Sequence, residues 1–480
     1  MKLWVFLFAA TIVSALAISS SELIAAEKEL STKPNIVFIL SDDQGYADTG
    51  FMGSTEIRTP HLDAIAKQGT VLESFYVQPV CSPTRASLMT GRYVSSTGVY
   101  HVVRPGAKWG LPLAERTLAD ALREAGYQTA ISGKWHLGEY QPSYRPTHRG
   151  FEQQYGHWFG ALDYFTHMRD GVLDWHRNDE LCKDEGYSTK LIAEEACRVI
   201  REKDPAKPLF LYVPFNAVHS PHQVPDAYEQ PFTDLKGVRR TYAGMVAAMD
   251  QGIGKIVATL KEQGLSENTL IIFSSDNGGP SPGKVTSNGP LRAGKGTIYE
   301  GGIRVCAFAS WPGHIPAGQR NQEPIHIVDW YPTLLKLAGG SLEQKHPLDG
   351  RDIWPVLTSG AKSPHESLFL PGMDTDQAAI RQGDWKLLLN ASKPGAKQTA
   401  ASPQADGIEL YNLSTDLGES KNVANEHPEV VKELQALLNR HIEASVPRGD
   451  IRTEAVGNPT DAPPQTTPPP RRRKKAKQSP

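Results

Sequence analysis

The sequence predicts an α/β protein with a large, mostly parallel central sheet flanked by helices and a smaller C-terminal α+β domain with an antiparallel sheet. Three observations point there. Between residues 34 and 340, short and nearly unbroken apolar runs alternate with helical stretches, the pattern of strands buried on both faces and joined by crossover helices. After residue 360 the texture changes to short runs around turns. The 480 residues are ample for more than one domain, and 39% hydrophobic with 22% charged residues is a globular composition.

Taken in chain order, residues 1–26 read as an export signal. Lys2 precedes a mostly apolar stretch over residues 3–16, and small residues at Ala15 and Ala17, and again at Ala25 and Ala26, offer cleavage sites. The apolar core is short for a membrane span, and no later stretch is long and apolar enough to be one. The expected location is therefore outside the cytosol, periplasmic or secreted, or lysosomal in a eukaryotic host.

The expected catalytic domain covers residues 27–360. NIVFIL (35–40) is its first strand, and TPHLDAIAKQG (59–69) a helix with Pro60 near its start and Gly69 at its end. RTLADALREAGY (116–127) puts Leu118, Ala121, Leu122 and Ala125 on one face and stops at Gly126. The short strand TAIS (129–132), the helix TKLIAEEACRVIREK (189–203), the strand PLFLYVPF (208–215), the helix 244–264 and the strands TLIIFSS (269–275) and RVCAFAS (304–310) continue the alternation. In residues 361–446, AAIRQGDWKLLLN (378–390) and IELYNL (408–413) suggest antiparallel strands. The stretch 427–444 is a helix with Val430, Val431, Leu434, Leu437 and Leu438 on one face. Residues 447–480 hold eight prolines and end in a basic run, so they are expected to be a disordered tail.

Charge excludes one broad class. Lys+Arg 51 against Asp+Glu 53 leaves a net charge of −2, so there is no global basic field for nucleic acid. Six of the cations sit in the last ten residues. Cys81, Cys182, Cys197 and Cys306 are too few for a disulfide scaffold and lack zinc-ribbon spacing.

In open α/β sheets ligands bind beyond the carboxyl ends of the strands, so the residues at the exit of each apolar run matter. NIVFIL leads into Asp42 and Asp43, and TAIS into GKWHLG with Lys134 and His136. LFLYVPF leads into NAVHSP with His219, and TLIIFSS into DNGG with Asp276 and Asn277. Asp42, Asp43, Asp276 and Asn277 are hard oxygen donors, suited to Ca²⁺ or Mg²⁺ and not to zinc. Three carboxylates together would repel without a cation. Lys134, His136 and His219 supply positive charge and proton transfer, as an anionic substrate with a leaving group to be protonated would need.

Cys81 opens the segment CSPTR, where Pro83 suits a first helical turn. It then lies at a helix N-terminus that favours an anion, with Arg85 one turn on along the same face.

Cys-x-Pro-x-Arg followed by LMTGR resembles the signature of type I sulfatases, a family in which this cysteine is oxidised after translation to formylglycine. SDDQGYAD, GKWHLG, VHSP and SSDNGG match the family's other motifs in the same order, over roughly residues 34–390. TPHLDAIAKQG, PTHRGFEQQYG, TYAGMVAAMD, PLRAGKGTIYEGGIRV and HIVDWYPTLLKLAGG have the flavour of the arylsulfatase B branch, which acts on N-acetylgalactosamine 4-sulfate. The chain departs from that branch in lacking most of its disulfide cysteines and in the small residues beside Lys295.

The resemblance implies an alkaline phosphatase-like fold and a sulfuric ester hydrolase acting on a sulfated glycan, of galactose or N-acetylgalactosamine type. It implies that formylglycine from Cys81 joins Asp42, Asp43, Asp276 and Asn277 around a bound Ca²⁺ or Mg²⁺. By the same likeness, Lys134 and Lys295 neutralise sulfate, His219 protonates the leaving group, Arg85 holds the hydrated formylglycine, and His136 takes the proton that lets sulfate go. A formylglycine-generating maturation enzyme is the implied protein partner. Trp158, Asp163 and His176, in the stretch between GKWHLG and the helix at 189, are candidate sugar contacts. Two other readings remain open: a phosphate or phosphonate ester hydrolase of the same superfamily, and a sulfated-glycan binding protein in which Cys81 is never converted.

Overall fold

The structure, a computed structural model, describes residues 33–391 and 407–449. The expected signal segment and nearly all of the expected tail lie outside these residues.

The first strand, Asn35–Ser41, is wholly buried and lies between Leu209–Pro214 and Thr269–Ser275, parallel to both. Successive side chains point to opposite faces. Ile36, Phe38 and Leu40 join Phe210, Tyr212, Leu270 and Ile272 in one core layer. Val37 and Ile39 join Leu209, Leu211, Val213 and Phe273 in the other. A strand covered on both sides must be apolar at both phases, which is why NIVFIL reads as one unbroken run.

The helices Cys81–Thr90, Leu118–Glu124 and Trp330–Leu337 cover the first face, and Pro60–Lys67, Ser188–Arg201 and Gly237–Glu262 the second. Leu118–Glu124 starts in a capping box, with Thr117 Oγ1 accepting from Asp120 N and the Asp120 carboxylate accepting from Thr117 N.

The ten-stranded sheet runs Gln319–Asn321, Thr70–Leu72, Ala307–Ser310, Thr269–Ser275, Asn35–Ser41, Leu209–Pro214, Gln128–Lys134, Gln153–His157, His176–Arg177 and Glu180–Leu181. Its five middle strands, Thr269–Ser275 through Gln153–His157, are parallel. Ala307–Ser310 pairs antiparallel with Thr269–Ser275. Gln153–His157 has no apolar run to announce it, because Gln154, Gly156 and His157 are buried by their neighbours and not by hydropathy.

A second sheet of four antiparallel strands, Leu368–Pro371, Ala378–Gln382, Trp385–Leu389 and Ile408–Asn412, forms the C-terminal unit. One face packs Ile380, Leu387 and Leu410 on Leu434 and Leu438 of the helix Pro428–Glu443. The other packs Leu368, Leu370, Ala379, Leu388 and Tyr411 on Tyr76, Ile298, Tyr299 and Ile303 of the larger unit. All four cysteines are free. No helix among the described residues is long and apolar enough to cross a membrane.

Candidate active site

Parallel pairing sets Ser41 opposite Ser275 and Leu40 opposite Pro214, so the exits of these strands open on one edge. Backbone bonds then lock the exits together. Asp42 N donates to Ala217 O at 2.9 Å, Val218 N to Asp42 O at 2.8 Å, and Asp276 N to Ser41 O at 3.0 Å. Asp43 and His136 sit in the left-handed region, at φ 64° and 61°. Such a conformation costs a non-glycine residue of order 1 kcal/mol or more, and it turns both side chains sharply at the strand ends.

The charges interlock. The Lys134 ammonium is paired with Asp42 Oδ2, and Arg85 Nη2 lies 3.6 Å from the same oxygen. Arg85 also donates to Asp276 Oδ2 at 2.9 Å and to Lys134 O at 2.8 Å. Lys295 Nζ is 2.5 Å from Asp43 Oδ1, Asn277 Nδ2 donates to that oxygen at 2.8 Å, and His219 Nε2 is 3.6 Å from Asp43 Oδ2. The groups from the strand exits, the helix and the loop that carries Lys295 are thus linked by charge around one edge of the sheet, with Lys295 and His219 on its solvent side.

Burial raises the Asp276 carboxyl to about 6, with the Asp42 charge adding to the effect. Burial also pushes Asp43 up, but Lys295, His219 and Asn277 outweigh it and hold the group below the usual carboxylate range. Lys295 goes the other way: burial disfavours its charge, but Asp43 more than restores it. Burial brings His219 down to about 4 against the pull of Asp43, and takes His136 well below its ordinary value with help from Lys134.

Cys81 is the first residue of the helix Cys81–Thr90 and is 2% exposed. The helix ends at Gly91, whose φ of 66° suits glycine and where a Cβ would lie 2.7 Å from Tyr331. Ser82 Oγ donates to His136 O at 2.8 Å, tying the helix start to the GKWHLG turn. Burial raises the Cys81 thiol, opposed by Lys134 and Lys295. A cysteine nucleophile needs the opposite shift, so the unmodified thiol is not an activated thiolate here.

The donor set fits a hard divalent cation. Asp42 Oδ1 and Asn277 Oδ1 are buried with no hydrogen-bond partner, an expensive arrangement for oxygens that only accept. Asp42, Asp43 and His219 offer atoms within 4.8 Å of one another. The Asp42 and Asp43 carboxylates and the Asn277 amide oxygen are of the kind Ca²⁺ takes, and Asp276 lies beside them with its oxygens accepting from Asp43 N and Arg85.

The candidate sugar contacts lie on the stretch beside the GKWHLG turn, where His136 N donates to Trp158 O at 3.1 Å. Trp158 is buried and stacks on His176, with ring centroids 3.6 Å apart and the planes at 8°, and the Arg145 guanidinium lies 4.5 Å from its ring. Asp163 is tied into its own turn: Oδ1 accepts from Phe165 N at 3.0 Å and Thr166 N at 2.8 Å, and Oδ2 from Gln223 Nε2 at 2.7 Å.

Supporting residues hold these groups in place, and of them Asn288 and Gly160 escaped the sequence reading. The Tyr164 hydroxyl lies 2.7 Å from both the Asn216 and His219 carbonyls and so pins the His219 turn. Asn288 bonds both the N–H and the carbonyl of Gly279 and reaches Ala293 O at 2.9 Å. Gly160 lies against His136, where a Cβ would come 2.4 Å from the imidazole. Their partners are remote in sequence, and no periodicity or spacing marks them.

An open α/β sheet whose strand exits gather carboxylates, ammoniums and imidazoles at a helix N-terminus defines an enzyme built to handle an oxyanion. The Sulfatase family profile matches residues 34–341. Arylsulfatase J of Mus musculus is 38% identical over 466 residues, covering 87% of this chain and 77% of its own. N-acetylgalactosamine-6-sulfatase of Canis lupus familiaris is 34% identical, covering 74% and 71%. Among solved structures, Ps i-CgsB in complex with k-i-k-neocarrahexaose superposes with a TM-score of 0.79 at 34% identity, covering 86% of this chain and 94% of that one. The chain belongs to the sulfatase family, and with it to the sulfuric ester hydrolases.

Proposed function

We propose that the protein removes sulfate esters from a sulfated glycan, using formylglycine made from Cys81 and a Ca²⁺ or Mg²⁺ ion held by Asp42, Asp43, Asp276 and Asn277. One observation carries this reading: the helix that Cys81 opens is tied into the strand exits, with Ser82 donating to His136 O and Arg85 donating to Lys134 O and Asp276 Oδ2 and lying 3.6 Å from Asp42 Oδ2. The glycan is inferred from relatives, one of which is named for N-acetylgalactosamine sulfate and another of which was crystallised with a carrageenan-type hexaose.

When bound, the cation supplies charge to a sulfate oxygen and lowers the pKa of a hydroxyl beside it. Formylglycine, an aldehyde hydrate in water, would supply two hydroxyls at position 81, one as a nucleophile toward sulfur and one as a route for releasing sulfate. The chain's own groups do the rest. Lys134 and Lys295 turn from Asp42 and Asp43 to the sulfate oxygens and neutralise them. Arg85, held by Lys134 O and Asp276, orients the residue at position 81. His136 Nδ1 has no partner, which leaves it open to accept a proton, and a negative sulfo group beside it raises the proton affinity that burial and Lys134 lower in the empty site. His219 lies at the solvent side, and an arriving sulfate anion raises its proton affinity so that it can protonate the leaving oxygen. Trp158, His176 and Asp163 are proposed as supports of the sugar-facing loop and not as a stacking surface: Trp158 and His176 are buried against each other, and both Asp163 carboxylate oxygens are taken by Phe165, Thr166 and Gln223. This reading needs a maturation enzyme in the host and export of the chain by its N-terminal segment.

Mass spectrometry of the peptide 76–93 tests conversion of Cys81. A screen of matured protein on chondroitin, dermatan, carrageenan and ulvan oligosaccharides, beside aryl sulfate and aryl phosphate, tests the substrate. Faster turnover of the phosphate ester than of any sulfate ester overturns the proposal.

A further inference from the structure

Lys295 is carried by the Gly-rich loop of residues 289–303. On the site side this loop is held by Gly296 N, which donates to Pro79 O at 2.7 Å, and by Asn288 Nδ2, which donates to Ala293 O at 2.9 Å. On its other side it is gripped at three points by the C-terminal unit. Arg292 Nη1 donates to the Tyr411 hydroxyl at 2.9 Å and to Glu419 O at 2.7 Å. The Tyr299 hydroxyl donates to Glu409 Oε1 at 2.8 Å. Glu300 accepts from Lys386 Nζ at 2.9 Å, and its own N–H donates to Glu419 Oε2 at 2.7 Å.

Lys386 is the centre of this grip. It is fully buried and bridges Glu300 and Glu419 at 2.9 and 2.8 Å. Tyr76 and Arg304 occupy the remaining Glu300 oxygen at 2.9 and 3.3 Å. The anchors Arg292, Tyr299 and Glu300 flank Lys295 on both sides in sequence. A long, flexible lysine is useful to a reaction only if its backbone is placed, and a misplacement of about 1 Å costs up to about a hundredfold in rate.

We propose that the C-terminal sheet is part of the working site, with Lys386 a positioning residue that holds Lys295 against the substrate's sulfate through Glu300 and Glu419. The inference rests on the sulfate-binding role proposed for Lys295.

The test is a double-mutant cycle in matured, metal-loaded enzyme on an aryl sulfate. Lys386→Met is expected to lower kcat/KM roughly ten- to a hundredfold. Lys295→Ala/Lys386→Met is expected to be no slower than Lys295→Ala alone. Hydrogen exchange is expected to speed up in residues 289–303 of Lys386→Met, with the central strands unchanged. A loss that multiplies fully on the Lys295→Ala background overturns the proposal, as does a Lys386→Met enzyme of lower Tm and unchanged kcat/KM. Should Lys386→Met fail to fold, Tyr299→Phe removes one anchor hydroxyl, keeps the ring, and carries the same cycle with the same deciding outcomes. Full activity in Lys295→Ala would instead refute the role of Lys295 itself. The exchange measurement would then separately decide whether the C-terminal sheet holds the loop.

Discussion

Among the described residues, the cluster of buried charge between the two units and the one at the strand exits are built on opposite rules. Between the two units, Lys386, Glu300, Glu419, Arg304, Arg381 and Tyr76 leave no buried side-chain polar atom unpartnered among the described residues. At the strand exits, Asp42 Oδ1, Asn277 Oδ1, Arg85 Nε and His136 Nδ1 all lack hydrogen-bond partners. A fold that pairs every group in one place can do so in the other. Groups left unpaired in a buried cluster are held for something that arrives, whereas a closed network serves rigidity.

The largest effect expected from this contrast is on activity. Cys81→Ala abolishes turnover, and Asp276→Asn lowers it on the order of a thousandfold, while neither lowers Tm by more than a few degrees. For Asp276→Asn two effects offset each other: removing the charge relieves repulsion from Asp42 and weakens the Arg85 bond, while the Arg85 guanidinium keeps Lys134 O and the Asp42 carboxylate as partners. A large drop in Tm would break the comparison. Thermal melting of the two variants beside an aryl sulfate assay checks it.

Lys386→Met should behave in the reverse way in stability. It strands two buried carboxylates, Glu300 and Glu419, and is expected to cost about 3–5 kcal/mol of unfolding free energy by denaturant titration. A cost under about 1 kcal/mol, typical of exposed ion pairs, would erase the distinction.

Cation binding comes next in size. Added Ca²⁺ at a hundredfold excess over its Kd should stabilise the protein by about 2.7 kcal/mol. The gain should vanish in Asp42→Asn/Asp43→Asn and persist in Tyr299→Phe. Calorimetric melting with and without chelator measures both.

A pH-dependent effect concerns Asp174, a buried carboxyl bonded by Trp158 N and Phe159 N at 3.0 and 2.7 Å. No Lys or Arg lies within ion-pair distance of it among the described residues. Burial raises it from 3.8 to about 7, so the folded state holds a proton that the unfolded chain releases earlier. Its contribution to stability is full below about pH 4 and is lost as pH rises through 7. Asp174→Asn should flatten Tm over that window, and an unchanged slope would refute the assignment.

Much of this was legible in the residues. The doubly covered strands show as unbroken apolar runs, and the polar groups at their ends, from Asp42 to Asn277, are conspicuous because they interrupt those runs. Gln153–His157 was not legible, since its burial comes from neighbours and not from its own hydropathy. Asn288 and Lys386 were equally silent, because neither spacing nor periodicity links them to the groups they hold.

By itself, then, the sequence determined the fold class, the family and the chemical types of groups offered at each strand exit, because local patterning and motif order are written along the chain. Only the tertiary structure decided which oxygens stay unpartnered, how Lys295 is held, and that the C-terminal sheet grips its loop. Those outcomes depend on strand register and domain packing, which bring together residues that no local pattern relates.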